Sequence, residues 1–259
     1  LEAALNLLLG PGPEEARGWR LELPAPRTEE VSRLRVAVWL DDPACPVDEE
    51  VQGAIRAAAQ SLQDAGAMVD FQARPKVDFA ANLHNYSLLL SAAIGAGMPE
   101  QVFQASVEAV AAADPTDMSP RLLQMRGIAL SHRDWLRQNE RRLRTRASWD
   151  EFFQDYDVLL CPATHVAAFP HDHTPDMHER TLLVNGESRP YLDLTAWAGL
   201  TLNTYLPATV APAGLTLDGL PVGVQIVGAY LDDRTTLAVA RLLQEHHRAF
   251  IPPPGFGDL

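Results

Sequence analysis

Cysteine is scarce in this chain of 259 residues: Cys45 and Cys161 are the only two, far apart in sequence. That excludes a disulfide framework and any paired-cysteine metal spacing, and it fits a reducing compartment, so a cytoplasmic location is expected. Long hydrophobic runs are also missing. The two longest, Leu88 to Gly97 (broken by Ser91) and Tyr156 to Ala163, fall far short of the roughly 20 residues that span a bilayer. The first residues carry no basic segment, apolar core and small-residue cleavage site in succession. Positive charge is in deficit as well: 21 Lys and Arg against 34 Asp and Glu give a net charge of −13. A field of that sign repels nucleic acid and anionic membrane, and neither is an expected partner.

What is present is an ordinary globular composition, 47% apolar and 21% charged, in a chain long enough to bury a sizeable core. Residues 1–9 read as the last turns of a helix stopped by Gly10-Pro11-Gly12, with no capping residue before them, so the chain is expected to open inside an element. Residues 14–30, with Pro24 and Pro26, read as a surface connection. Leu34-Arg-Val-Ala-Val-Trp39 alternates as a strand does. Residues 48–65 place Val51, Ile55, Ala58 and Leu62 on one helical stripe, and Gly66 closes it. With a second strand at 67–71, this makes a βαβ unit.

Residues 78 to about 145 read as three helices, broken near Gly97-Met98-Pro99 and between Asp114 and Pro120, because proline cannot sit in a helix interior. A short fourth helix from Ser148 leads into the apolar strand 156–162. Residues 163–190, with Pro170, Pro175, Gly186 and Pro190, read as one long loop of the kind that tends to be functional. A short helix over 191–198 precedes strands at 208–212 and 221–228, joined through an Asp218-Gly219 turn. A last helix starts at Asp232 as N-cap. The basic run Arg133, Arg137, Arg141, Arg142, Arg144 and Arg146, with Arg126 just before it, reads as the solvated face of a helix.

Two stretches resemble a known family. Tyr156-Asp-Val-Leu-Leu-Cys-Pro-Ala-Thr164, running to Phe169-Pro170, resembles a strand and loop of amidase-signature enzymes. Leu206-Pro-Ala-Thr-Val-Ala-Pro-Ala-Gly214 followed by Asp218-Gly-Leu-Pro-Val-Gly-Val-Gln-Ile-Val-Gly228 resembles the C-terminal part of the same family, most specifically over 221–228. The resemblance implies an α/β fold: a mixed β-sheet covered by helices on both faces, of which this chain supplies the C-terminal part. Within that single amidase-like domain, 1–33 would be a helix end and connection, 34–75 strand–helix–strand, 76–155 a helical insertion, and 156–259 sheet completion and closing helix. One departure stands out. Where the family has a glycine before Leu-Pro, this chain has Tyr205, a bulky ring in place of bare backbone.

The resemblance also implies a serine hydrolase that cleaves an amide, or a related ester or carbamate, through an acyl-enzyme, using two serines, a lysine and a glycine-rich oxyanion loop. None of these is found here. Lys76 is the only lysine, and no serine is flanked by glycines. No catalytic residue is therefore assigned within the chain, and no cofactor and no metal are expected. Its expected partners are an N-terminal half of the same protein carrying the catalytic set, a small-molecule amide-type substrate and, as one option, a second copy in a homodimer. By position, Thr164, Thr195, Trp197, Asn203 and Tyr205 are candidates for the substrate pocket, with Trp197 equally readable as a core anchor. Cys161 four residues before His165 suggests a Cys–His pair, although a thiol ending an apolar strand is more simply a small buried hydrophobe. His171, His173 and His178 in the 163–190 segment suggest a metal site, but their spacing matches no standard zinc set. The rival reading is a non-catalytic, amidase-like binding or assembly protein.

Overall fold

The computed structural model describes residues 1–257. Its helices are α1 (Glu2–Leu8), α2 (Glu49–Asp64), α3 (Phe79–Gly95), α4 (Glu100–Ala112), α5 (Pro120–Ile128), α6 (His132–Asp155), α7 (Ala196–Leu202) and α8 (Asp233–His246). The strands are β1 (Arg35–Val38), β2 (Met68–Asp70), β3 (Val158–Pro162), β4 (Thr181–Val184), β5 (Glu187–Pro190), β6 (Ala208–Leu215) and β7 (Pro221–Val227). Five of them form one sheet in the order β2-β1-β3-β7-β6, parallel across β2, β1 and β3 and antiparallel from β3 through β7 to β6. This is the mixed sheet the sequence implies.

Alternation along the strands assigns the two faces. Thr209 of β6 shares a 2.8 Å hydrogen bond with Thr236 of α8, and a Cβ built on Gly214 would lie 3.2 Å from Ala54 of α2. Residues in register with these, Val222 and Ile226 of β7, therefore point at α2 and α8, and Val224 lies between them on the same face. Gln225 points the other way and donates to the Trp197 carbonyl of α7 at 3.5 Å. On that side Trp39, Phe79 and Trp197 meet edge to face, with ring centroids 4.9–5.7 Å apart. Helices thus cover both faces at β3 and β7. The cover stops at β6: Ala208, Val210 and Pro212 on its α7 side are exposed, and β6 ends the sheet among the described residues.

Local signals explain the element ends. The Asp48 side chain accepts from the Glu50 N–H to start α2. The helix stops in a Schellman arrangement: Ala67 N–H reaches the Leu62 carbonyl, Gly66 N–H reaches that of Gln63, and Gly66 takes φ 108°. Val51, Ile55 and Leu62 are buried beneath it, each contributing roughly 1.5–3 kcal/mol. Arg27 pins the N-terminal connection where β3 begins and β7 ends, donating to Asp232 and to the Phe153 and Tyr156 carbonyls.

Three expectations need correction. The helical insertion has the expected four helices, but its last break lies elsewhere: residues 129–131 separate α5 from α6, and the Ser131 hydroxyl accepts from the Asp134 N–H to cap α6. No helix begins at Ser148, since α6 runs unbroken to Asp155 and no glycine or proline interrupts it. Finally, 163–190 is not one loop. It contains the β4–β5 hairpin, closed by Asn185 and Gly186 at φ 53° and 83°, the positive values a type I′ turn requires. The Asn185 side chain docks this hairpin on α2, accepting from the Glu49 N–H and donating to the Val47 carbonyl.

Candidate functional site

Four of the five candidate pocket residues fall in two places, and the fifth, Trp197, in the core. At the end of β3, Thr164 lines a cleft of about 210 Å³ together with Val51, Phe169, Leu194, Pro221 and Val222. Its hydroxyl is shielded from solvent and has no hydrogen-bond partner. The cleft is otherwise apolar, so this hydroxyl is its one unsatisfied polar group among those six residues. Thr195 follows Leu194 at the N-cap of α7, but it is exposed and its hydroxyl donates to the Leu192 carbonyl.

The second place is the C-terminal end of α7. Asn203 is buried there, and its amide nitrogen donates to Asn82 Oδ1 at 2.8 Å and Asn85 Oδ1 at 3.0 Å. Tyr205, two residues on, takes φ 60°. That value belongs to the left-handed region, which a glycine, the residue the resemblance implies at this position, adopts freely, whereas a side chain costs about 1–2 kcal/mol. The half-exposed Tyr205 ring is covered by Arg142, whose guanidinium carbon lies 4.4 Å from the ring centroid, while Arg146 lies 4.6 Å from that of Tyr230. Each such stack contributes about 0.5–1 kcal/mol. Arg142 and Arg146 are thus held against aromatic rings, which corrects their reading as part of a solvated face.

The two places are apart. Through β7, Ala208 is level with Leu159, so Thr164 lies five residues further along, roughly 16 Å, while Tyr205 precedes Ala208 on the opposite side. Trp197 belongs to neither. It has no exposed surface, its indole N–H donates to the Cys45 carbonyl at 3.2 Å, and Trp39 and Phe79 pack on it. The structure puts it in the core.

The alternative chemistries find little support. Burial pushes the Cys161 thiol up to about 12, only partly opposed by its hydrogen bond from Gln225, so it is protonated at neutral pH. His165 makes no pair with it: both ring nitrogens are buried without partners. Burial holds the His165 pKa below its ordinary value, with Asp193 raising it and Arg189 lowering it. His171 and His173 lie with ring centroids 5.9 Å apart, whereas His178 is turned to Gln124 Oε1 at 2.9 Å and Asp176 pairs with Arg121. Among the described residues no group of three or more His, Cys, Asp or Glu is arranged to hold a metal ion. Lys76, the one lysine, is exposed and 3.3 Å from Glu151. Among the described residues no helix is long and apolar enough to cross a membrane. Sequence reasoning missed Asn82 and Asn85 as the partners of Asn203. Their i, i+3 spacing on one face of α3 was the available signal.

The mixed sheet, its helical layers and the motifs at the ends of β3 and α7 define an α/β protein of amidase-signature architecture. The family model described as Amidase matches residues 15–237, and the chain belongs to the amidase family. It is 25% identical over 236 residues to the A-type subunit of glutamyl-tRNA(Gln) amidotransferase from Desulforamulus reducens, covering 85% of this chain and 46% of that protein. The corresponding protein of Rhodospirillum rubrum is 38% identical over 104 residues, 40% of this chain and 19% of that protein. The chain spans about half the length, or less, of these curated relatives. A bacterial aryl acylamidase of the amidase signature family superposes with a TM-score of 0.69 at 21% identity, covering 95% of this chain and 50% of its own. The 6-aminohexanoate cyclic dimer hydrolase gives 0.66 at 22% identity, covering 94% and 52%.

Proposed function

We propose that this chain is the sheet-completing, pocket-lining part of an amidase-type serine hydrolase whose catalytic serines and lysine lie outside it. The reaction would be cleavage of an amide, or a related ester or carbamate, in a small molecule through an acyl-enzyme, in the cytoplasm, without metal or cofactor. The observation that carries this reading is the open α7-side face of β6. A family member with an uncovered strand face, an unpaired sheet edge and no serine–lysine set of its own is half of a site. The natural cover is the remainder of the same protein, with a homodimer as a further level of assembly. Thr164 would orient substrate at the β3 end by hydrogen bonding, with Thr195 at the rim of that cleft. Asn203 and Tyr205 would shape the wall at the α7 end. Trp197 would act through the core, holding α7 against β7, rather than by contact.

The test is to treat the purified full-length protein with a fluorophosphonate, map the labelled peptide and measure the intact mass of every species. A labelled serine in a glycine-rich stretch outside these residues supports the reading. No labelled serine, together with a single species of this chain's mass, overturns it in favour of a non-catalytic, amidase-like binding role. The absence of a serine–lysine set from the chain is what keeps that second reading in view.

A further inference from the structure

A second cleft, of about 430 Å³, opens between the start of α3 and the middle of α6. Its floor is polar and fixed. Asn82 and Asn85 are 3% and 5% exposed, and both side-chain oxygens are engaged by the Asn203 amide. What the floor retains is donor capacity: Asn82 Nδ2 has a single acceptor, the Gly199 carbonyl at 3.3 Å, for two N–H groups.

The walls are cationic in a chain whose net charge is −13. Arg144 makes no side-chain hydrogen bond or ion pair among the described residues, and the one partner of Arg141 is the neutral Gln138 Oε1 at 3.3 Å. Lys76 stands at the mouth, sharing its charge with the exposed Glu151. Asp78 is the single carboxylate lining the cleft, and its Oδ1 accepts from the Ala81 N–H to cap α3. Two guanidiniums three residues apart on α6 repel one another, and neither forms an ion pair with a carboxylate among the described residues. His84, also in the wall, reports the same field: burial and then the charges of Arg141 and Arg126 hold its pKa below the ordinary value. Arg141 and Arg144 are exposed, and both border a concavity with a buried amide floor, which is the donor set of an oxyanion site.

We propose that this cleft binds a phosphate-bearing small molecule, its phosphoryl oxygens held between Arg141 and Arg144 above the Asn82–Asn85 floor. Guanidinium forks match tetrahedral oxyanions in geometry as well as charge, and the volume exceeds a bare phosphate, leaving space for an organic body. The site is independent of the amide chemistry, since it belongs to α3 and α6. It touches the proposed pocket through Asn203 alone, so occupancy would stiffen the wall that Asn203 and Tyr205 form.

The experiment titrates the full-length protein with inorganic phosphate and, separately, phenyl phosphate at constant ionic strength set with chloride. Calorimetry reads the affinity, and NMR reads the His84 pKa. Saturable binding with a rise in the His84 pKa is expected, because an anion there offsets Arg141 and Arg126. The double variant Arg141→Gln/Arg144→Gln should weaken binding by about tenfold or more. Arg137→Gln, on the same helix but paired with Asp134, should leave it within about twofold. Tighter binding of phenyl phosphate points to an organic phosphate, and equal binding to free phosphate. A response that never saturates, or that is the same in the double variant and in Arg137→Gln, is general screening and overturns the proposal. Circular dichroism of both variants separates lost binding from lost fold.

Discussion

β3 and β6 belong to the same sheet, two strands apart, and they live in different surroundings. All five residues of β3 are buried, with helices on both sides, and its sequence is the continuous apolar run that such a position needs. β6 alternates: Thr209, Ala211 and Ala213 are buried on the α2 and α8 side, while Ala208, Val210 and Pro212 are exposed on the other. The outer residues of an exposed face should be polar, yet in β6 they are alanine, valine and proline. Beyond it, Leu215, Leu217 and Leu220 are exposed as well. β3 is packed on both faces, whereas β6 is packed on one.

Substitutions in the two strands should separate them most clearly at β3. Leu160→Ala removes a fully buried side chain facing α2, and should lower stability by about 2–5 kcal/mol in urea unfolding. Val210→Ala in β6 should change this chain alone by less than about 0.5 kcal/mol. On the proposal that the remainder of the protein covers β6, the Val210 effect in the full-length protein should climb to about 1 kcal/mol or more. Equal values for Val210→Ala in both forms would mean that nothing packs there.

Close packing away from the open edge gives the next test. A Cβ on Gly127 would lie 2.4 Å from the Ser91 Cβ and 2.8 Å from the Leu88 carbonyl oxygen. Gly127→Ala should therefore destabilise by about 1–3 kcal/mol, because backbone as well as a side chain must move. At Tyr205 the strained φ and the arginine stack oppose each other. Tyr205→Gly should leave stability within about 1 kcal/mol of the parent, whereas the β-branched Tyr205→Val should lose about 1–3 kcal/mol. A Val variant as stable as the Gly variant would show that φ 60° is not enforced.

The weakest effect is one of pH. His165 is buried neutral with its pKa depressed, so below the unfolded value of about 6.5 the unfolded chain binds the proton more readily. Its contribution is intact above that pH and is lost as the pH falls towards the folded pKa. His84 acts with the same sign. The urea midpoint should thus drop between pH 7 and pH 5, and His165→Gln should flatten the slope. An unchanged slope would mean that His165 takes up no proton differently on unfolding.

Much of the fold was legible because its signals are local. The stripe of α2, the glycine that stops it, the βαβ unit and the β6–β7 pair through Asp218-Gly219 follow from spacing and turn chemistry within a few residues. The β4–β5 hairpin carried an equally local signal, Asn185-Gly186 after Thr-Leu-Leu-Val, but it was masked by the prolines around it. The break before α6 had only a serine cap to announce it, and the end of a polar helix leaves a weak trace in composition.

The site was legible only in part. Residue identity and spacing were enough for the family, the absence of a serine–lysine set and the short motifs that end β3 and α7. Where those residues went was settled by packing. Trp197 lies in the core, because a ring between Trp39 and Phe79 buries more surface than one at a pocket rim. Thr164 and Tyr205 stand at opposite ends of the sheet, because strand register is fixed by which face must be buried, and that is a property of the packed layers rather than of any one segment.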